Sequence, residues 1–396
     1  MRMLFAVQRY GHEVAGGAER ACRELASELA GRGHEVEVLT SRATSYASWE
    51  NSYPPGTVEI DGVKVHRLST ARSRDERVFG PLDGRVAWGQ PPVPLYLQEE
   101  WMRQQGPDLP ELPGWLARRA ASYDVAAFFC YLYPTAWAGL PVAAARTPTV
   151  FHPLAHDEPM LALPLYETAF RSAAAFAFLT DEEQELVERT FRPRQPSEVI
   201  GTGFDLDVTG DGARFRAMHG LSADDPYLLF IGRIDPSKGA FELLDYFRTL
   251  KVRHPGPLRL VFLGEGVHPI EGQDDMVVTG FVDEQTKRDA IDGSVAVVVP
   301  SFFESLSMAL IEAWIQRRPA LVQGRCAVLA GQAARSGGAI PYSGFAEFEA
   351  AVELVSSAPG LADALAAAGR SYVEHRYRWD LVLDRYENLL ERTVAG

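Results

Sequence analysis

The first 40 residues of the chain have the pattern of a compact βαβ unit, which leaves few folds open to it. An apolar run at 3–7 predicts a strand, a loop follows at 9–17, and apolar residues at helical spacing predict a helix over 18–31. An alternating strand comes next at 35–40. Strand, glycine loop, helix and strand in this order are typical of a parallel, doubly wound sheet.

The same alternation starts again after the segment RPRQPSEVIGTGFDLD, whose prolines and glycines indicate a linker. A strand at 227–231, a helix at 240–252 and a strand at 258–262 open the second series. A length of 396 residues fits two domains of ordinary size. We therefore predict an α/β protein with two doubly wound, Rossmann-like domains that face a cleft. Their predicted bounds are 1–204 and 205–376, and an amphipathic helix at 377–396 could cap either domain.

Charge and cysteine content exclude several classes of protein. The chain carries 39 Lys and Arg against 53 Asp and Glu, a net charge of −14, so neither half has the basic surface that a nucleic-acid partner requires. No apolar run reaches the ~20 residues of a membrane span, and we expect a soluble, cytoplasmic protein.

The three widely spaced cysteines are predicted to be core residues in a reducing compartment: Cys22, Cys130 and Cys326. Only four lysines occur: Lys64, Lys238, Lys251 and Lys287.

Two segments of the first half are predicted to depart from the βα alternation. Alternating residues around Asp61 and Gly62 predict a hairpin at the edge of the sheet. The segment 70–113 is rich in Pro, Gly and charge, and we predict a long loop packed down by Trp88, Tyr96 and Trp101. The window 62–87 has a local charge of +3, which fits either a solvated loop or a weak contact with an anionic acceptor or membrane surface.

The remainder of the first half predicts further strands and helices. The charged stretch TDEEQELVER is expected to be a solvated helix face. The predicted strands are 125–130, 148–152 and 176–179, and the predicted helices are 133–145, 161–173 and 182–191.

Paired glycines, Gly16 and Gly17, stand immediately before the first predicted helix. Glycine lets a backbone approach a ligand closely, and the N–H groups at a helix start attract phosphate. The pair therefore indicates either an anion site or a plain tight turn. The segment lacks a GxGxxG dinucleotide fingerprint.

Arg233 and Lys238 lie on the loop of LLFIGRIDPSKGAF, after a buried strand and before a helix. They are five residues apart across a turn, so both can point at one site above the strand. Two cations and a helix N-terminus would hold a diphosphate. The other interpretation is a surface loop with two solvated cations.

Glu304 and Glu312 flank a serine-rich helix start in VVVPSFFESLSMALIEAW. If Glu304 lies in the loop and Glu312 one or two turns into the helix, both carboxylates can face one side. The backbone N–H groups at 306–308 between them would be available to a phosphate. Carboxylates accept hydrogen bonds from sugar hydroxyls well. Glu304, the N–H groups at 306–308 and Glu312 could therefore bind a hydroxyl, a phosphate and a second hydroxyl, respectively.

The segments GGAER, GRIDPSKG and ESLSMALIEA, in this order and spacing, resemble the GT-B glycosyltransferases of family 4, and the resemblance covers essentially the whole chain. It implies a retaining enzyme whose first domain binds the acceptor and whose second domain binds the nucleotide sugar. It also implies that the last helix packs back on the first domain. It also implies that Arg233 and Lys238 bind the donor diphosphate, that Glu304 contacts sugar hydroxyls and that Glu312 holds the ribose. The other implied donor contacts are the backbone of Leu306, Ser307 and Met308, Gly16 and Gly17 at the diphosphate and sugar, and Gly264 and Val282 beside the nucleobase.

That family commonly has the motif EPFGL at this position, whereas this chain has ESLSM, with Ser307 in place of the glycine. The substitution narrows the space beside the sugar. The residues therefore leave the donor open between UDP- and GDP-sugars.

His156, in FHPLAHDEPM, resembles the histidine of the family's cleft and could hydrogen-bond the sugar or orient the acceptor hydroxyl. We count it, with Glu304, Lys238 and Arg233, among the predicted catalytic residues, and His152 as a weaker candidate. Asp205 and Asp207 spell the DxD of metal-dependent glycosyltransferases, but at the linker rather than after a sheet strand. We expect no metal and no cofactor, with the cations and helix ends neutralising the donor.

The predicted reaction transfers a sugar to a hydroxyl of a glycan, lipid-linked or natural-product acceptor with retention of configuration. No residue stands out as a nucleophile, so the resemblance implies a displacement on one face of the sugar, in which the departing phosphate helps to deprotonate the acceptor. The alternatives are a nucleotide-sugar epimerase or phosphorylase on the same fold and a non-catalytic nucleotide- or carbohydrate-binding protein. A phosphorylase would need a pyridoxal lysine, and the three lysines other than Lys238 are expected outside the cleft loops. The oligomeric state is left open.

Overall fold

The computed structural model describes residues 1–14, 16–90, 92–266, 270 and 275–395. The chain forms two units. The first consists of Met1–Gly203 together with Trp379–Gly396, and the second of Phe204–Arg378. Each contains its own largely parallel sheet connected through helices, which confirms the predicted α/β class.

The first unit has an eight-stranded sheet in the order β3-β4-β2-β1-β5-β6-β7-β8. All neighbouring strands are parallel except β3 and β4, whose antiparallel pair forms the predicted hairpin at the edge. Apart from the hairpin strand β3, successive strands of the chain extend the sheet in one direction from β1 to β4 and in the opposite direction from β5 to β8. The strand order therefore reverses between β1 and β5. The strands are β1 (Arg2–Ala6), β2 (Glu35–Ser41), β3 (Gly56–Ile60), β4 (Val63–Leu68), β5 (Val125–Phe129), β6 (Thr149–His152), β7 (Ala175–Phe178) and β8 (Ser197–Val199).

Both faces of this sheet are buried, because successive residues of a strand point to opposite faces. Met3 and Phe5 of β1 enter one apolar core, whereas Leu4 and Ala6 enter another. The helices up to residue 191 are α1 (Gly17–Gly31), α2 (Glu76–Val86), α3 (Leu95–Gln105), α4 (Leu112–Arg119), α5 (Pro134–Ala144), α6 (Glu167–Ser172) and α7 (Asp181–Phe191).

The predicted loop at 70–113 is wrong, because α2, α3 and the start of α4 occupy much of this segment. Prolines and glycines hide the helical period here, and Pro81 even lies inside α2. Trp101 is fully buried as predicted, but Trp88 and Tyr96 are 52% and 68% exposed rather than packed down.

The predicted helix at 161–173 is also wrong over its first half. Pro159 and Pro164 each begin a short 3₁₀ turn, Pro159–Ala162 and Pro164–Tyr166, and only α6 is α-helical. Proline lacks an N–H donor and its ring clashes with the preceding turn, which disfavours a continuous helix, and here the chain forms two short turns instead.

The second unit has a six-stranded, fully parallel sheet in the order β11-β10-β9-β12-β13-β14. The order reverses between β9 and β12, which is where open α/β sheets bind ligands. The strands are β9 (Tyr227–Ile231), β10 (Arg259–Leu263), β11 (Met276–Val278), β12 (Ala296–Val299), β13 (Ala320–Gln323) and β14 (Ala339–Tyr342). The helices are α8 (Gly212–Met218), α9 (Ala240–Arg253), α10 (Glu284–Gly293), α11 (Met308–Ile315), α12 (Ala327–Ser336), α13 (Phe345–Ser357) and α14 (Pro359–Arg376).

The last helix, α15 (Trp379–Ala395), packs on the first unit. Leu383, Tyr386 and Leu390 enter the core that contains Phe5. Arg32 at the end of α1 forms ion pairs of 2.7 Å with Asp384 and Glu387 of α15.

Within the described residues, no single helix is long and apolar enough to span a membrane. Of the helices described, only α13 and α14 taken together are long and apolar enough, and the chain bends by 100° between them.

Candidate functional site

The loops after β9 and β12 meet at the point where the strand order of the second unit reverses. Asp235 shapes the first loop, since its Oδ1 accepts hydrogen bonds from the Lys238 N–H at 3.0 Å and the Ser237 hydroxyl at 2.6 Å. Gly239 follows with φ of 68°, and a Cβ on it would lie 2.1 Å from the carbonyl oxygen of Pro300. The two loops therefore approach more closely than any residue but glycine would allow.

Lys238 and Glu304 form an ion pair across these loops. The distance between Lys238 Nζ and Glu304 Oε1 is 2.7 Å, and the two side chains are 30% and 12% exposed. Arg233, on the same loop as Lys238, is 47% exposed and donates from Nε to the Asp235 carboxylate. Two cations thus lie at the end of β9, and a carboxylate at the end of β12 holds one of them.

Glu312 lies in the second turn of α11, while Glu304 is in the loop that precedes this helix, which are the positions that the sequence predicts. Glu312 is also paired, because Lys287 of α10 contacts its Oε1 at 2.8 Å. Lys287 further contacts Glu284 at 3.0 Å. Lys287 lies on a helix rather than on a site loop, as expected, but its side chain reaches Glu312, which the sequence did not predict. A lysine on one helix gives no sequence signal that it will reach a glutamate on another.

Leu306, Ser307 and Met308 form the entry to α11. The helix begins at Met308, so the backbone N–H groups of its first turn have no partner within the helix. Leu306 is buried, and its carbonyl accepts a hydrogen bond from the Gln332 amide of α12. Ser307 has φ of 74°, a value that favours glycine. This backbone angle explains why a glycine would suit this position.

The two segments predicted beside the nucleobase also meet in this unit. A Cβ on Gly264 would lie 2.0 Å from the carbonyl oxygen of Gly232, which places the end of β10 against the loop after β9. Gly264 forms an isolated antiparallel bridge with Gly280, two residues before the half-buried Val282. The structure therefore joins these positions to the loop that carries Arg233 and Lys238.

In the first unit, Gly16 and Gly17 lie beside a buried ion pair that the sequence analysis missed. Arg9, after β1, contacts Glu19 of α1 at 2.6 Å, and both side chains are buried. A Cβ on Gly16 would lie 2.2 Å from Glu19 Oε2. A side chain at position 16 would therefore displace the Glu19 carboxylate, whereas a Cβ on Gly17 would meet nothing within 4 Å.

His156 follows β6, and its Nδ1 lies 3.5 Å from Glu158 Oε1. The loop before it is held by Glu183 of α7, whose carboxylate accepts the N–H groups of Ala155 at 2.8 Å and Leu179 at 2.7 Å. Burial raises the pKa of Glu183 to about 7, although both hydrogen bonds act in the opposite direction. The interpretation of TDEEQELVER as a wholly solvated face is therefore wrong at Glu183, which is fully buried.

Two family models match the chain, namely the Glycosyl transferase 4-like domain over residues 16–203 and Glycosyl transferases group 1 over residues 225–355. Sucrose-phosphate synthase from Thermosynechococcus elongatus has the same fold, with a TM-score of 0.74, 16% identity and full coverage of both chains. The chain belongs to the GT-B glycosyltransferases. The first family match confirms the predicted resemblance to family 4.

Other relatives of this glycosyltransferase are similar over most of their length. D-inositol 3-phosphate glycosyltransferase of Kribbella flavida is 28% identical over 406 residues, which span 93% of this chain and 88% of that one. A glycosyltransferase of Methanocaldococcus jannaschii is 22% identical and spans 81% and 80% of the two chains. The structure of HepE from Anabaena in complex with UDP-glucose has a TM-score of 0.71, 16% identity and coverage of 98% and 99%.

In the part of the chain that the structure describes, no three His, Cys, Asp or Glu side chains are placed so that they could hold a metal ion. Asp205 and Asp207 are both exposed, and the Asp205 carboxylate accepts the N–H group of Asp207 at 3.1 Å. The DxD is therefore a local turn motif in this structure.

His152, the weaker histidine candidate, is fully buried in the glycosyltransferase. Its ring stacks on Phe129 with centroids 4.2 Å apart, and its Nε2 lies 2.9 Å from the hydroxyl of Tyr386 on α15. Burial lowers the pKa of His152 to about 3. These contacts make His152 a link between the sheet and α15.

Acid should therefore destabilise the first unit through His152. Between its unfolded pKa of about 6.5 and its folded pKa of about 3, the unfolded chain binds a proton that the folded chain does not. The free energy of unfolding should fall by up to about 1.4 kcal/mol per pH unit as pH decreases through this range. Urea unfolding of wild type and of His152→Phe/Tyr386→Phe at pH 7 and pH 5 measures the effect. An equally steep loss in the double variant would contradict it.

Proposed function

We propose that the protein is a retaining glycosyltransferase that moves a hexose from a UDP-sugar to an acceptor hydroxyl without a metal ion. The observation that carries the proposal is the Lys238–Glu304 pair beside Arg233 and the start of α11, at the strand reversal of the second unit. This arrangement offers cations and N–H donors to a diphosphate and a carboxylate to sugar hydroxyls. The UDP-glucose complex of the structural relative HepE makes UDP-glucose the first donor to test.

Stabilisation of the leaving group is the main task in the proposed reaction. The bond between C1 of the sugar and the diphosphate oxygen breaks, and its electron pair stays on the diphosphate. Arg233, Lys238 and the N–H groups at the start of α11 meet this growing negative charge, which lowers the barrier because they interact more strongly with the transition state than with the donor. Glu312, oriented by Lys287, is assigned to the ribose hydroxyls.

The acceptor oxygen forms the new bond to C1 on the face that the diphosphate leaves, and its proton passes to the departing phosphate. We assign His156 to the acceptor hydroxyl, with Glu158 as the neighbouring carboxylate and the buried Glu183 holding the loop. Both neighbours limit the positions that the histidine can take. His156 is thus a proposed catalytic residue that orients a nucleophile.

A glycan, lipid-linked or natural-product alcohol is the proposed acceptor class, and the cytoplasm is the proposed location.

The exposed rings of Trp88 and Tyr96 and the exposed guanidinium of Arg77 lie on or beside α2 and α3. Aromatic and basic side chains together favour a peripheral contact with an anionic membrane surface. This contact is proposed as a weak one.

Donor hydrolysis in the absence of acceptor tests the proposed function. We expect slow release of UDP from UDP-glucose, an increased Tm with the same donor, and no loss of either effect in EDTA. Donor binding without any turnover, in the presence of an acceptor panel, would favour the non-catalytic alternative. Neither binding nor turnover with UDP-glucose, UDP-N-acetylglucosamine or GDP-mannose would contradict the proposal.

A further inference from the structure

Ser307 has a backbone conformation that a residue with a side chain rarely adopts. Its φ is 74° and its ψ is 93°, outside the regions that sterics allow for non-glycine residues. The surroundings impose this conformation, because Gln332 holds the carbonyl of Leu306 on one side and α11 begins on the other. Glycine at this position would relieve the conflict between the Cβ and the backbone.

The serine does not compensate for this strain by stabilising the helix. A serine at the N-cap of a helix usually has an extended backbone, and its hydroxyl accepts a hydrogen bond from the second or third N–H group. Ser307 occupies the N-cap of α11, but its side chain makes no capping hydrogen bond. The hydroxymethyl group therefore adds strain without contributing a cap.

Ser307 also lies between the two carboxylates of the proposed donor site. Glu304 and Glu312, on either side of it in the chain, are held by Lys238 and Lys287 at 2.7 and 2.8 Å. Backbone strain of this kind persists where surrounding structure over-determines it, and it clusters at ligand-binding positions. A function for the side chain in ligand recognition accounts for its presence.

We propose that Ser307 determines which donor sugar the enzyme accepts. Its hydroxymethyl group fills space that a glycine would leave open, and so restricts the site to hexoses without a bulky substituent such as an N-acetyl group. The inference rests on the proposed function, because it concerns the sugar of that same donor.

The test compares donor hydrolysis by wild type and Ser307→Gly with UDP-glucose and UDP-N-acetylglucosamine. Wild type should prefer UDP-glucose, and the ratio of the two kcat/KM values should fall at least about tenfold in the variant, because the added room benefits only the larger sugar. The Tm should rise by roughly 2 to 4 °C, since glycine removes the strain. This rise makes a folding failure of the variant unexpected.

Two control variants separate strain from recognition. Arg317 has φ of 54° in the same unit but is exposed and lies beyond the far end of α11. Arg317→Gly should raise the Tm and leave the donor ratio unchanged. Ser307→Ala keeps the Cβ but removes the hydroxyl, so its Tm should stay close to that of wild type and its donor ratio should lie between those of wild type and Ser307→Gly.

Three results would overturn the inference. They are a donor ratio in Ser307→Gly within about twofold of wild type, a wild-type preference for UDP-N-acetylglucosamine, and the same change of ratio in Arg317→Gly. Wild-type protein that turns over neither these donors nor GDP-mannose would instead contradict the proposed function, and the inference with it.

Discussion

Lys238→Met should lower donor turnover about 100- to 1000-fold, the usual effect of removing one donor that stabilises developing charge. Methionine keeps the length and apolar character of the side chain but removes the ammonium group. The Glu304 carboxylate, 12% exposed, then loses its partner at 2.7 Å and adds negative charge beside the diphosphate. Steady-state hydrolysis of UDP-glucose and calorimetric titration with UDP measure the two consequences.

Lys64→Met is the matched control, because Lys64 is 55% exposed on β4 in the first unit. It should retain wild-type turnover. Lys238→Met also leaves the Glu304 carboxylate, 12% exposed, without its partner, so its Tm should fall. The double variant Lys238→Met/Glu304→Gln removes that carboxylate, so it should restore the Tm without restoring turnover. Turnover of Lys238→Met within about threefold of wild type would reject Lys238 as the residue that meets the leaving group.

Gly239→Ala should both destabilise the second unit and abolish UDP binding. The new Cβ would lie 2.1 Å from the carbonyl oxygen of Pro300, and alanine is also disfavoured at φ of 68°. The loop after β9 must therefore move away from the loop after β12, which separates Lys238 from Glu304. We expect the free energy of unfolding to fall by about 2 to 4 kcal/mol and UDP binding to be lost.

Gly220→Ala isolates the contribution of the backbone angle. Gly220 has φ of 66° in the same unit, but a Cβ there has no neighbour within 4 Å. The free energy of unfolding should fall by only about 1 kcal/mol, with UDP binding intact. Equal effects of the two substitutions on urea unfolding and on UDP titration would show that the close approach to Pro300 is unimportant.

Features of the site that depend on a single loop could be predicted from the sequence. Arg233 and Lys238 follow one buried strand, Glu304 follows another, and the parallel order of strands brings the two loop ends to one edge. The placement of Glu312 inside α11 follows from the short distance in the chain between it and Glu304. Local patterns were sufficient because each motif is continuous.

Contacts between distant elements could not be predicted in this way. Lys287 reaches Glu312 from another helix, and Glu183 supports the loop before His156 from α7. A charged residue on a helix has the same local pattern whether it faces water or a buried carboxylate or N–H group, so the sequence favoured solvent for both. The helices α2 and α3 were missed for a different reason, since proline and glycine obscured their period.

The position of α15 in the chain has a consequence for biosynthesis. Tyr386 and Leu390 complete a core to which Phe5 belongs, yet they are translated after all of the second unit. A nascent chain that has left the ribosome up to residue 203 exposes the apolar surface that α15 later covers. The first unit to be synthesised is thus the last to be finished, and chaperone contact during translation should concentrate on it.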